Sequence, residues 1–102
     1  MKFEIFYKTT ALKDLEDISV FLFEKTGFAN FAKDYINSIK SQIEILGFYP
    51  EMGFWVDDVG LLSQDFRGLV LGNYVVYYKY DGKRIVIFHI WYSKKSFPNL
   101  NE

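Results

Sequence analysis

Hydrophobic and polar positions alternate with period two at the start of the chain. Phe3, Ile5 and Tyr7 fall on one side and Lys2, Glu4 and Lys8 on the other, with Phe6 the exception, which predicts a strand over 3–8. The period then lengthens to three or four. Ala11, Leu15, Ile18 and Leu22 form one apolar stripe, so a helix is expected from Ala11 to about Lys25, with Thr9 or Thr10 as its N-cap. Lys13, Asp14, Glu16 and Asp17 lie away from that stripe. Leu12 and Phe23 flank it on one side, Phe21 on the other, and Val20 points nearly opposite. Thr26-Gly27 is the stop. A second stripe follows in Phe28, Ala32, Tyr35, Ile36, Ile39, Ile43 and Leu46, and predicts a helix from Phe28 or Ala29 to Leu46. The short turn between the two makes an antiparallel helical hairpin.

Gly47, Pro50 and Gly53 end the helical region, and 51–64 reads as a structured loop holding Glu51, Asp57 and Asp58 with Phe54, Trp55 and Val56. Three strands are expected over 65–71, 74–80 and 84–92, separated by Gly72-Asn73 and Asp81-Gly82, both strong hairpin signals. The last two are apolar at both parities. Tyr74, Val76, Tyr78 and Tyr80 oppose Val75 and Tyr77, and Val86, Phe88, Ile90 and Tyr92 oppose Ile85, Ile87, His89 and Trp91. A strand with one wet face should alternate, so both faces of this sheet need an apolar neighbour. The fold class is therefore α+β in two layers, with order β-α-α-β-β-β. The helical hairpin packs on one face of an antiparallel sheet that ends in a three-stranded meander, all in one domain spanning 1–102.

Composition narrows the chemistry. Without cysteine there is neither a disulfide framework nor a thiolate metal site, and a single histidine makes no His-rich site, so no metal or cofactor is expected. The first ten residues lack an apolar signal region and no apolar run reaches membrane-spanning length, which leads us to expect a soluble, cytoplasmic protein with no membrane partner. A net charge of −1 excludes a globally basic nucleic-acid-binding surface but not a local patch.

Several stretches together resemble the RelE/ParE superfamily of toxins from bacterial type II toxin–antitoxin systems. They are Ala11-Leu12-Lys13-Asp14-Leu15-Glu16-Asp17-Ile18; Ala29 to Ile43 with Phe31, Tyr35 and Ile39; Leu46, Pro50, Met52 and Gly53; Arg67-Gly68-Leu69; Tyr74-Val75-Val76-Tyr77-Tyr78; and Ile85 to Tyr92 followed by Lys94-Lys95. The resemblance implies one of two activities, poisoning of DNA gyrase by ParE-like members or cleavage of messenger RNA on the ribosome by RelE-like ones. In both, a cognate antitoxin silences the toxin in a toxin–antitoxin assembly. RNA cleavage at the 2′-OH without a metal requires a base, an acid and a cation on the phosphorane. RelE-like enzymes carry an Arg in the middle strand, where this chain has Val75 or Tyr74. That departure favours the ParE-like branch, a binding inhibitor rather than an enzyme. A degenerate member kept only for binding is the third alternative.

Under the RNase reading the site would be Arg67, His89, Tyr92 and Lys95. Under the gyrase reading the resemblance points to Arg67, Trp91, Tyr92, Lys94 and Lys95 as target contacts. Each has a plainer role open to it: His89 as a packed strand residue, Tyr92 at the sheet rim, the Lys pair as a solvated strand end, and Arg67 paired with Asp65 or Glu51. The apolar flank of the first helix, Leu12, Val20 and Phe23, is the expected seat for an antitoxin segment.

Overall fold

The computed structural model describes residues 2–56 and 65–93. β1 (Glu4–Tyr7) leads into α1 (Thr9–Thr26) and α2 (Ala29–Ile43), and a single 3-10 turn, Glu44–Gly47, continues the second helix. Four further strands follow: β2 (Phe54–Trp55), β3 (Arg67–Leu71), β4 (Tyr74–Tyr80) and β5 (Arg84–Tyr92). They form one five-stranded sheet in the order β1-β5-β4-β3-β2, with the two helices on one face. The C-terminal meander is antiparallel as expected, whereas β1 runs parallel to β5 and makes the sheet mixed.

Local chemistry explains the helical boundaries. Gly27 adopts φ +75, and its N–H donates to the Phe23 carbonyl at 2.7 Å, closing α1 in a left-handed cap. The Thr26 hydroxyl donates to Leu22 O at 2.8 Å and accepts the Phe28 N–H at 3.1 Å, which fixes the hairpin turn. Two expectations are corrected at helix N-termini. Lys8, extended at φ −68 and ψ 157, occupies the N-cap position of α1, with Thr9 and Thr10 already inside the helix. Phe28 occupies the cap of α2 and stands 68% exposed rather than joining its buried stripe.

The main core lies between helices and sheet. Ala11, Leu15 and Ile18 of α1 and Ile39 and Ile43 of α2 meet Leu69, Tyr74, Val76, Tyr78, Ile85, Ile87 and Ile90. In β5 the inward residues change parity, from Ile85 and Ile87 to Ile90 and Tyr92. The pairing register shifts there: Tyr78 opposes Ile87 but Tyr77 opposes His89, so Phe88 is an extra residue in a β-bulge. A smaller cluster of Phe66, Val75 and Tyr77, with Val56, Phe88 and Trp91 packed against it, occupies the opposite face. Phe54 adds its ring over Gly68 on that face.

Beyond Tyr7, β5 has lost its β1 neighbour, and α1 supplies the missing partners. The Thr10 hydroxyl donates to Phe88 O at 2.6 Å, and the Asp14 carboxylate accepts the Ile90 N–H at 3.0 Å. One turn apart on α1, these two side chains satisfy an edge that would otherwise present unpaired backbone groups.

The Tyr7 hydroxyl is pushed up to about 12, mainly by burial and further by the charge of Glu44. Burial also raises Tyr74 and Tyr78. A raised folded value means the fold favours the neutral phenol. The contribution is intact below the ordinary tyrosine value of about 10 and is lost as pH rises through about 12. Urea midpoints measured from pH 9 to 12 should fall in this window, and Tyr7→Phe should make the fall shallower. An identical pH profile for the variant would contradict the assignment.

Candidate functional site

On α1, the residues facing away from the core are not all polar. Leu12, Val20 and Phe23 are 48%, 50% and 48% exposed. At 100° per residue, Leu12 and Phe23 share nearly one azimuth about 16 Å apart along the axis. Val20 lies beside them, and Glu16 and Ser19 fall between. Leaving such side chains in water forgoes about 1.5–3 kcal/mol of burial each, and the three lie on adjoining faces of one helix. Phe21 sits on the other flank with the Lys25 ammonium 5.8 Å from its ring, and Phe28 and Phe31 are exposed around the hairpin tip.

Arg67 is committed to the fold. Its guanidinium donates to Glu51 O at 3.1 Å and Gly53 O at 3.2 Å, lies 4.0 Å from the Glu51 carboxylate, and stacks 3.9 Å from the centre of the Trp55 ring. Its side chain is only 12% exposed. Of the partners considered from sequence, Glu51 is the one it meets. A guanidinium held this way clamps the turn before β2 and leaves little of its charge for an external phosphate.

His89 and Asp14 form a pair whose positions in the sequence give no hint of it. Nδ1 of His89 is 3.2 Å from the Asp14 carboxylate oxygen that also accepts the Ile90 N–H, and the imidazole lies 4.5 Å from the Trp91 ring. Trp91 in turn packs on Tyr77, in the cluster opposite the helices. Tyr92 turns to the helical face, where its ring meets Tyr74 at 5.4 Å and begins an aromatic chain through Tyr35 to Phe31.

These placements scatter the residues singled out by resemblance. Arg67 opposes Tyr78 and Tyr92 opposes Tyr74 along β4, so their rows are about 13 Å apart at 3.3 Å per residue. Trp91 is on the other face of the sheet, and His89 is tied to α1. Lys94 and Lys95 lie outside the described residues. No group of His, Cys, Asp and Glu capable of holding a metal ion occurs among the described residues. No helix among them is long and apolar enough to cross a membrane. Sequence reasoning missed Asp14 and the role of Tyr78, whose hydroxyl reaches across the fold to the 50–53 turn. It placed Trp55 only within a structured loop. Among the described residues the chemical content is thus apolar and aromatic surface, with Arg67 and His89 engaged internally.

Comparison with known proteins bears on the family and the fold. The family model for the ParE toxin of the type II toxin–antitoxin system parDE matches residues 5–97. A chain from the structure described as the chromosomal ParDE TA system from P. aeruginosa superposes with a TM-score of 0.74 at 19% identity, covering 89% of this chain and 96% of that one. At that identity the likeness is one of fold. No curated protein matches the chain.

Proposed function

The chain belongs to the ParE toxin family of type II toxin–antitoxin systems, and on that footing we propose that it acts by binding, as an inhibitor of DNA gyrase held in check by a cognate antitoxin. The observation that carries the binding mode is Arg67. The cation that an RNA-cleaving site would need is turned onto two backbone carbonyls and an indole ring. His89 is engaged by Asp14 and Tyr92 by Tyr74, which leaves no described trio of base, acid and cation facing one point. Ribosome-dependent RNA cleavage is accordingly the weaker reading. Induction of the protein in cells separates the two. Gyrase inhibition gives the DNA-damage response with filamentation, whereas RNA cleavage gives rapid loss of translation with cuts in messenger RNA.

The antitoxin would seat apolar side chains at helical spacing on Leu12, Val20 and Phe23 of α1, folding as it binds. The expected result for Val20→Ser combined with Phe23→Ser is antitoxin affinity weakened tenfold or more, equivalent to about 1.4 kcal/mol, with an unchanged melting curve because both side chains are half exposed. Unchanged affinity would move the antitoxin elsewhere. A large loss of stability would mean that this face is internal.

A further inference from the structure

Phe6 breaks the alternation of β1, and the strand that carries it has an open edge. β1 is the outer strand of the sheet and pairs with β5 on its inner side only. The Lys8 N–H donates to Ile87 O at 2.8 Å. In a parallel pair the residues that bond the neighbour recur at every second position. The backbone of Glu4, Phe6 and Lys8 therefore faces β5, and that of Phe3, Ile5 and Tyr7 faces outward. The Phe3 N–H is taken by Gly47 O at 2.7 Å. The outward N–H and C=O groups of Ile5 and Tyr7 have no hydrogen-bond partner among the described residues. Just beyond, Thr10 and Asp14 close the edge of β5, but no described group does the same for Ile5 and Tyr7. Unpaired backbone groups in a row on an edge strand are a template for another strand.

The side chains say which strand fits. Hydrogen bonds across this edge use outward-facing residues only. If the partner is β1 of a second copy, odd-numbered residues must therefore oppose odd-numbered ones. One such antiparallel register opposes Ile5 to Ile5. It sets Lys2 against Lys8 and calls on the Phe3 N–H, which Gly47 already holds. The other opposes Ile5 to Tyr7 and Phe6 to Phe6. It uses only the unpaired backbone groups, and it sets Glu4 against Lys8 on each side of the two-fold axis. Opposite charges directly across a strand pair favour the pairing, and like charges oppose it. Glu4 and Lys8 are both exposed, and neither makes an ion pair among the described residues. Lys8 is still extended, at φ −68 and ψ 157. Arg84, the β5 neighbour of Glu4, is turned over the Phe6 ring, 5.7 Å from its centre. Phe6 is 42% exposed. In this register it meets its own copy in a non-hydrogen-bonded pair, where facing side chains come closest.

We propose that β1 is a homodimer interface: it pairs antiparallel with β1 of a second copy, with Phe6 at the two-fold axis, and joins the two five-stranded sheets into one. The proposal does not depend on the family reading. The full unaltered chain is followed by sedimentation equilibrium from micromolar to millimolar concentration. Its mass should rise from the 12.1 kDa of one chain toward twice that value. Amide hydrogen exchange at Ile5 and Tyr7 should slow over the same range, since a single chain offers these N–H groups no acceptor. Glu4→Lys and Lys8→Glu should each weaken association about tenfold or more, because each sets like charges opposite one another on both sides of the axis. An equimolar mixture of the two variants should recover association, since every facing pair in the mixed dimer is then of opposite sign. Melting curves close to that of the parent are expected for both, as the two side chains are exposed. If either variant fails to fold, exchange at Ile5 and Tyr7 in the unaltered chain still decides. A chain that keeps the single mass, with exchange at Ile5 and Tyr7 independent of concentration, overturns the proposal and leaves the edge to a strand from a different protein. Undiminished association in the single variants, or a mixture no better than either variant alone, overturns it as well.

Discussion

Tyr78→Ala should unfold at far lower urea than the parent chain, with a loss of about 3–5 kcal/mol, as expected for emptying a fully buried aromatic position. Tyr78 is the largest fully buried side chain among the described residues and contacts both helices' layer and the sheet's own turn. Its ring and its hydroxyl can be separated. Tyr78→Phe keeps the volume but leaves the Gly53 N–H and Pro50 carbonyl without their partner, a cost of about 1–3 kcal/mol for stranded polar groups. The phenylalanine variant should also loosen the 50–53 turn and with it Trp55, visible as a change in the indole signal before any global unfolding. If the two variants lose the same amount, cavity formation is not the dominant effect and the hydroxyl carries the stability. If Tyr78→Phe loses nothing, the turn is braced by Arg67 alone.

The sequence made the layers legible because each element has a strong period. The stripes of α1 and α2, the meander and its two glycine turns are local patterns, and the family resemblance rested on the same residues. What escaped was set by distance or by an irregularity. The bulge at Phe88 swaps the parity of β5, so an alternation count that continued past Ile87 put the wrong residues on each face. β2 is only Phe54–Trp55, too short to have a period. The parallel pairing of β1 with β5 joins the two ends of the chain, and nothing in β1 itself names its neighbour. Thr9 and Thr10 carried the composition of an N-cap, but both already lie within α1, and the Thr10 hydroxyl donates instead to Phe88 O. Phe28 fitted the period of α2 but fell at its non-helical first position, where the azimuth no longer follows the stripe. The exposed apolar side chains of α1 were readable because Val20 and Phe23 violate the amphipathic rule. The Asp14–His89 pair and the Arg67–Trp55 stack were not, since their members belong to different elements brought together only by tertiary packing.

The distinction between core stripe and exposed apolar flank on α1 predicts a sharp contrast within one helical turn. Leu15 is 4% exposed and packs in the same cluster as Ile39 and Ile43, whereas Leu12, three residues earlier, is half in water. Leu15→Ala should therefore cost about 2–5 kcal/mol, and Ile39→Ala on α2 a similar amount, because each deletes buried methyl groups and leaves a cavity that the sheet beneath can only partly fill. Leu12→Ala, the same chemical change on the same helix, should stay within about 0.5 kcal/mol, as for a surface substitution. Leu15 and Ile39 belong to one cluster, so their effects should not simply add in the double variant. Urea melts of the three single variants and the double one test the whole scheme. Losses under about half a kcal/mol for both Leu15→Ala and Ile39→Ala would dismantle the stripe assignment. A large loss for Leu12→Ala would mean that its face is covered in the free protein, and the proposed antitoxin seat would then be occupied before any partner arrived.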